Sequence, residues 1–213
     1  MIAAVRERLK LVLVTDRRKP RDGDLGAAVD RALRGGVTAV MLREKDLATD
    51  ELVALGVRLA AACRAAGAAF IVNGDLATAR ALRADGVHLG YGAASVAEAR
   101  AALGSEILVG RSTHDLSELS DAARAGACYV TFGPVWDTPS KRGLLEPRGT
   151  AALTDAVRAC GVPVVALGGV NASRAADVRR TGAAGIACIG AILDAPDESV
   201  AAAEILRAWD EAR

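Results

Sequence analysis

The chain has 213 residues, of which 52% are hydrophobic, and its formal net charge at pH 7 is +1. This length leaves little room for a second domain, so we expect residues 1–213 to form one domain. The near-neutral charge, without a basic stripe, argues against a nucleic-acid-binding protein.

The chain lacks the signals of export and of membrane insertion. Its first ten residues mix acidic and basic side chains without an apolar core, and no stretch reaches about 18 uncharged apolar residues. The four cysteines are too far apart for zinc-type spacing. We therefore expect a soluble cytoplasmic protein with no membrane partner and with reduced cysteines.

Seven helix-like stretches each end at a glycine and are followed by a short apolar run. The glycines are Gly36, Gly67, Gly86, Gly104, Gly126, Gly161 and Gly182. An eighth apolar run, Leu11–Thr15, opens the series without a preceding helix. Glycine suits a helix end because the residue there often needs a left-handed backbone. Eight strands alternating with helices predict a parallel sheet closed into a (β/α)8 TIM barrel.

The predicted elements follow from these joints. Strands are expected at 11–15, 37–42, 69–72, 86–89, 107–110, 128–132, 163–167 and 184–189. Helices are expected at 24–35, 49–66, 76–84, 95–103, 116–125, 150–160, 172–181 and 197–211. In such barrels the chemistry lies at the carboxyl ends of the strands, so candidate site residues are sought there.

One connection, residues 133–149 after the sixth strand, is far longer than the others. It contains three prolines, three glycines, three cationic side chains and a tryptophan. Long connections in compact domains are usually functional or disordered. We expect this segment to cover a ligand, with a mobile surface loop as the alternative.

Three strand ends carry the features of an anion site. Arg43 and Lys45 follow the second strand and would present two cations to the barrel mouth. Gly168 and Gly169 follow the seventh strand, and Ile189 and Gly190 follow the eighth. Many barrels bind phosphate in these last two loops through main-chain N–H groups. Tight turns also need glycine, which is the alternative explanation.

The third, fourth and fifth strands end in polar side chains. They supply the amide of Asn73, the imidazoles of His88 and His114 and the hydroxyl of Ser112. Either histidine can transfer a proton near neutral pH, although a lone histidine at a strand end often has only a structural role.

Five segments, in chain order, resemble the thiamine-phosphate synthase/TenI superfamily. They are Val12–Asp16, Gly35–Lys45, Asp85–Gly90, Gly110–His114 and Val164–Gly169. The resemblance implies a TIM barrel of thiamine biosynthesis that binds a thiazole phosphate at its mouth. It also implies a homo-oligomer, as is common in the superfamily.

Two branches of the superfamily compete. The synthase branch joins a pyrimidine diphosphate to the thiazole phosphate and uses magnesium, held by two aspartates. This chain has Gly74 and Ala93 at those two positions. The tautomerase branch moves a proton without a cofactor or metal and has asparagine-glycine at the third strand, as Asn73-Gly74 does here. The resemblance is therefore closest to the TenI-like thiazole tautomerase, with thiamine-phosphate synthase as the alternative.

The segment Phe132–Leu144 also follows the tautomerase pattern, with one departure. The tautomerase carries its catalytic histidine where this chain has Pro134. His114 or His88 would then have to serve as the catalytic group, or the protein would be a non-catalytic, ligand-binding regulator. The substrate-binding residues that the resemblance and the strand ends imply are Arg43, Lys45, Asn73, Ser112, Thr138, Ser140 and Lys141.

Overall fold

A computed structural model describes residues 2–139 and 141–212 of the chain. Eight parallel strands pair in chain order, and the eighth pairs with the first to close a barrel. They are β1 (Leu11–Val14), β2 (Ala39–Leu42), β3 (Ala69–Asn73), β4 (Gly86–Leu89), β5 (Leu108–Thr113), β6 (Tyr129–Phe132), β7 (Val164–Leu167) and β8 (Gly185–Cys188). The predicted TIM barrel is confirmed.

Helices surround the strands. They are α1 (Ile2–Arg8), α2 (Leu25–Arg34), α3 (Thr49–Ala66), α4 (Leu76–Ala81), α5 (Val96–Leu103), α6 (Leu116–Arg124), α7 (Gly149–Ala159), α8 (Ala172–Arg180), α9 (Gly190–Leu193) and α10 (Glu198–Glu211). No helix among the described residues is long and apolar enough to cross a membrane.

Side chains alternate between two hydrophobic layers, as expected for strands covered on both faces. Residues such as Val12, Met41 and Ile71 fill the barrel interior. Their neighbours Leu13 and Leu42 pack outward against the helices. A side chain two residues beyond an interior one therefore also faces the barrel interior. This alternation determines which side chains line the barrel mouth.

Two helices were not predicted. The expectation of no helix before the first strand is wrong, because α1 precedes β1. Val5 of α1 and Leu9, the residue after it, lie in the bottom of the barrel interior. The short α9 directly follows β8.

Five of the seven glycine joints have the expected left-handed backbone, with φ between +69° and +100°. Gly86 and Gly161 do not. Gly86 lies inside β4, where a Cβ would approach the carbonyl oxygen of Leu108 to 2.9 Å. Close strand approach, rather than backbone handedness, requires that glycine.

Candidate active site

The mouth of the barrel is lined by polar side chains at interior positions. Met41 and Ile71 belong to the interior layer, so Arg43 and Asn73, two residues further along, face the same space. Arg43 and Asn73 are both half-buried. The main-chain N–H of Arg43 donates to Oγ1 of Thr15 at 2.9 Å, which fixes the end of β2 against β1. The alternation expected from the sequence thus brings these two predicted residues together.

His88 lies at the centre of a hydrogen-bonded cluster. Its Nδ1 is 3.1 Å from the hydroxyl of Tyr129, and its Nε2 is 2.9 Å from Oγ of Ser112. Oγ1 of Thr131 is 3.4 Å from the same Nε2. Burial, and then the charges of Arg111 and Arg43, lower the pKa of His88 to about 3. The ring is therefore neutral near pH 7 and holds the Ser112 hydroxyl in place.

Tyr129 and Thr131 were not among the predicted site residues. Gly110 of β5 is the sequence feature that relates to Tyr129, because it pairs with Tyr129 of β6. A Cβ at Gly110 would lie 2.2 Å from Cζ of Tyr129, so only glycine leaves room for the ring. The packed ring then orients the imidazole of His88, 5.5 Å away between ring centroids.

His114 occupies a different environment from His88. It follows β5, and its Nδ1 is 2.5 Å from the carbonyl oxygen of Gly133. Its main-chain N–H donates to Oε2 of Glu118 at 2.7 Å. His114 thus joins the loop after β5 to the loop after β6. The catalytic role suggested for His114 and His88 stays a prediction.

The loops after β7 and β8 have the backbone that the phosphate prediction requires. Gly168 and Gly169 have φ of +96° and +67°. Added Cβ atoms would meet Cα of Pro134 and the carbonyl oxygen of Asp137, each at 2.7 Å. Within residues 2–139 and 141–212, no main-chain hydrogen bond is donated by Gly168, Gly169 or Gly190. The short helix α9 begins at Gly190, as is frequent at barrel phosphate sites.

The long loop after β6 is anchored at both ends. The N–H of Val135 donates to Leu167 O and that of Trp136 to Gly168 O, each at 3.0 Å. At the far end, the N–H of Arg148 donates to Pro134 O at 2.8 Å. Between these anchors, Thr138 O accepts from the N–H of Lys141 at 3.0 Å. Ser140, predicted to contact the ligand, lies outside the described residues.

Lys141 carries positive charge towards the end of β2. Its pKa is lowered by burial and then by the charges of Lys45 and Arg43. Because β2 and β6 lie on opposite sides of an eight-stranded barrel, the loop must extend over the mouth for these charges to interact. None of the ion pairs formed by the described residues includes Arg43, Lys45 or Lys141.

Carboxylates near the mouth are already held by other protein groups. The guanidinium of Arg17 donates to both oxygens of Asp46, at 2.7 and 2.9 Å, and holds its pKa at about 2. The N–H of Arg17 donates to both oxygens of the buried Glu44, at 3.1 and 3.2 Å. Asp75 caps α4 by accepting from the N–H of Thr78 at 2.9 Å.

These residues do not fit the magnesium site of the synthase branch. Its two aspartate positions are Gly74, whose N–H donates to His88 O at 2.9 Å, and Ala93. Asp16, at the end of β1, accepts from Nε of Arg18 at 3.0 Å. In the part of the chain that the structure describes, no three His, Cys, Asp or Glu side chains are grouped to hold a metal ion.

Comparison with known proteins identifies the family. Residues 11–192 match the family model described as thiamine monophosphate synthase. The chain belongs to the thiamine-phosphate synthase/TenI family. A thiamine-phosphate synthase of Roseiflexus castenholzii is 40% identical to this member over 189 residues, covering 89% of this chain and 83% of the relative. A thiamine-phosphate synthase of Thiobacillus denitrificans is 42% identical over 197 residues, which cover 92% of this chain and 93% of the relative.

A solved structure agrees with the assignment to the thiamine-phosphate synthase/TenI family. Thiamine phosphate pyrophosphorylase from Pyrococcus furiosus superposes with a TM-score of 0.89 at 33% identity, covering 98% of each chain. The names of these relatives support the synthase alternative from the sequence analysis and give no support to the tautomerase that was expected first.

Proposed function

We propose that the protein catalyses the thiamine-phosphate synthase reaction, which joins a hydroxymethylpyrimidine diphosphate to a thiazole phosphate. The observation that carries this proposal is the group of basic side chains in the mouth, Arg43, Lys45 and Lys141. Both substrates are anionic, and the diphosphate carries the larger negative charge. Relatives at about 40% identity that bear the synthase name support the same reaction.

The thiazole phosphate is assigned to the loops after β7 and β8. The N–H groups of Gly168, Gly169, Ile189 and Gly190 would donate to its oxygens. Left-handed glycines at 168 and 169 support this assignment, since they give an anion close access to the main chain. The position beside a short extra helix agrees with the usual phosphate site of such barrels.

The reacting groups meet next to the basic side chains. The thiazole nitrogen uses its lone pair to form a bond to the pyrimidine methylene carbon, while the carbon–oxygen bond to the diphosphate breaks and its electrons go to the diphosphate. Arg43, Lys45 and Lys141 would stabilise the charge that develops on this leaving group. Asn73, Ser112 and Thr138 would orient the substrates, with Ser112 held by His88.

A metal-independent thiazole tautomerase is the second candidate, favoured by Gly74 and Ala93 in place of the two aspartates. That reaction needs a group that gives and takes a proton. Burial lowers the pKa of His88 to about 3, so this ring is a poor proton donor near pH 7. Nδ1 of His114 is engaged by Gly133. These two environments favour the synthase over the tautomerase.

Two parallel incubations test the assignment. One contains the protein, the pyrimidine diphosphate, thiazole phosphate and magnesium, and the other contains only the thiazole carboxylate tautomer in deuterated water. Thiamine phosphate in the first supports the synthase. Deuterium exchange in the second incubation without thiamine phosphate in the first establishes the tautomerase. Saturable binding of thiazole phosphate without either product indicates a regulator.

Arg43→Ala tests the basic group at the mouth. Loss of a charge-assisted hydrogen bond should weaken binding of thiazole phosphate or of diphosphate by about 1–3 kcal/mol, measured by calorimetry. Arg64→Ala is the control, because Arg64 is exposed in the last turn of α3, at the opposite end of the barrel. Equal affinity of the Arg43 and Arg64 variants for these anions would show that Arg43 is not part of the binding site.

A further inference from the structure

A tyrosine of β6 reaches a histidine of β4 across β5, the strand that separates them. The pairing of these three strands places His88, Gly110 and Tyr129 side by side. A Cβ at Gly110 would lie 2.5 Å from the hydroxyl oxygen of Tyr129, so the missing side chain leaves a path between the two flanking strands. Strands two apart are separated by about 10 Å, a gap that the tyrosine and histidine rings fill together. The contact between His88 and Tyr129 therefore depends on glycine at position 110.

The buried hydroxyl of Tyr129 needs an acceptor for its proton. Tyr129 is 1% exposed, and among residues 2–139 and 141–212 its hydroxyl has no hydrogen-bond partner other than Nδ1 of His88, at 3.1 Å. A buried donor that lacks an acceptor is strongly disfavoured. Tyr129 therefore donates to Nδ1, which must be the unprotonated nitrogen of the ring.

This hydrogen bond makes the other nitrogen of the imidazole a donor. The His88 ring is buried and neutral near pH 7, so it carries one proton. With Nδ1 accepting, that proton is on Nε2 and points to Oγ of Ser112, at 2.9 Å. Oγ1 of Thr131, at 3.4 Å, is the more distant acceptor. The hydroxyl oxygen of Ser112 thus receives a hydrogen bond from inside the barrel.

The hydroxyl proton of Ser112 is then available to a ligand in the mouth. Ser112 lies two residues beyond Gly110, on the interior face of β5, and is half-buried. In the part of the chain that the structure describes, its hydroxyl has His88 as its only partner. A hydroxyl has one proton, so a serine that accepts from histidine donates on its other side. A diphosphate oxygen, which only accepts, matches this donor.

We propose that Tyr129 and His88 are positioning residues that make Ser112 a hydrogen-bond donor to an oxygen of the bound diphosphate. The inference rests on the proposed function, because the diphosphate belongs to one of its substrates. In the reverse arrangement Ser112 would donate to Nε2 of His88, and its oxygen could only accept from a ligand N–H group. The buried pair of Tyr129 and His88 thereby selects the class of ligand atom that Ser112 binds.

Nitrogen-15 NMR of the full chain tests the tautomer of His88 without a ligand. The chain contains two histidines, so a His114→Gln variant assigns the ring signals. At pH 7 we expect the proton on Nε2 of His88. Tyr129→Phe should show both tautomers, because no hydroxyl then holds Nδ1 as an acceptor. A proton on Nδ1 in the unmodified protein, a doubly protonated ring, or a spectrum that Tyr129→Phe leaves unchanged would overturn the proposal.

Calorimetric titration with inorganic pyrophosphate tests the donor. Ser112→Ala should raise the dissociation constant about tenfold, the loss typical of one charge-assisted bond. Ser120→Ala removes an exposed hydroxyl from α6 and should leave the affinity unchanged. Unaltered affinity in Ser112→Ala, or no saturable binding to the unmodified chain, would overturn the proposal.

A double-mutant cycle tests whether Tyr129 acts through Ser112. When both tautomers are equally populated, half of the molecules present the donor, so Tyr129→Phe should raise the dissociation constant for pyrophosphate about twofold. The same replacement in Ser112→Ala should have no further effect, because the donor is already absent. Unaltered affinity in Tyr129→Phe, or an equal loss in both backgrounds, refutes the positioning role of Tyr129.

Failure of this inference is distinguishable from failure of the proposed function. Thiamine phosphate formation by a protein whose His88 carries its proton on Nδ1 removes only this inference. A proton on Nε2 and a pyrophosphate affinity that depends on Ser112, without thiamine phosphate formation, remove only the synthase assignment.

Discussion

His88 makes the stability of the folded protein depend on pH. Its ring is buried, both ring nitrogens contact hydroxyl groups, and its pKa falls to about 3 from an ordinary 6.5. Between these two pKa values, His88 is neutral in the folded protein and protonated in the unfolded chain. Stability from this residue is therefore complete above about pH 6.5 and is lost as the pH falls towards 3.

The first prediction concerns this window. Between about pH 7 and about pH 5, the free energy of unfolding should fall by about 2 kcal/mol through His88 alone, because only the unfolded chain gains the proton. Urea unfolding at both pH values measures it. His88→Gln, which keeps a polar side chain that does not titrate, should show a fall smaller by that amount. Parallel falls in the two proteins would contradict the buried, neutral state of His88.

At the residue scale, the sequence predicted many side chains of the mouth but not their partners. Arg43, Asn73, His88 and Ser112 were predicted because strand ends meet at one face of a parallel barrel. The pairing of His88 with Tyr129 depends on strand register, 41 residues apart in the chain. A pattern of neighbours in sequence carries no information about such distances.

Among the secondary-structure elements, α2 and α10 are joined by a nearly buried ion pair that helps to close the ring of helices. Arg31 donates through Nε and Nη2 to the two carboxylate oxygens of Glu198, at 2.5 and 3.0 Å. The side chain of Glu198 is only 3% exposed. Removing the arginine would leave a carboxylate in a poorly solvated position without its counter-charge.

The second prediction follows from that burial. Arg31→Ala should lower the free energy of unfolding by about 3 kcal/mol, as measured by urea denaturation near neutral pH. The matched control is Arg180→Ala, which breaks the exposed pair between Arg180 and Asp177 on one helix and should cost at most about 0.5 kcal/mol. Similar losses in the two variants would show that the burial of Glu198 contributes nothing.

Element prediction from the sequence succeeded where periodicity was long and missed two short helices, α1 and α9. The 18-residue α3 matched its predicted bounds because its pattern extends over several turns. The seven-residue α1 buries only Val5 within its bounds, and α9 has four residues. Such segments are helical because the barrel packs against them, which their local sequence does not encode.

At the scale of the whole molecule, the buried residues below the strands and the proposed anion site lie at opposite ends of the barrel. Leu9 is fully buried below the strands, and its carbonyl group packs so closely on Gly185 that a Cβ there would lie 1.9 Å from the oxygen. The basic side chains and the long loop lie at the carboxyl end. A cavity at the bottom should therefore weaken the fold without changing the anion site.

The third prediction tests this separation. Leu9→Ala should lower the free energy of unfolding by about 2–5 kcal/mol through loss of buried apolar contacts. The dissociation constant for pyrophosphate, measured well below the melting temperature, should not change. Ile2→Ala, at a residue 55% exposed in the preceding helix α1, is the control and should alter stability by at most about 0.5 kcal/mol. A weaker pyrophosphate affinity in folded Leu9→Ala would show that the two ends are coupled.

The sequence by itself determined the eight-stranded barrel, the face that carries the polar residues and the long loop after β6. These depend on periodicity, glycine joints and strand ends, which are local properties of the chain. Only the tertiary structure decided that Arg17 donates hydrogen bonds to Glu44 and Asp46 and that the charges of Lys45 and Arg43 lower the pKa of Lys141. Those contacts arise from barrel closure and strand register, which join residues that no local pattern relates.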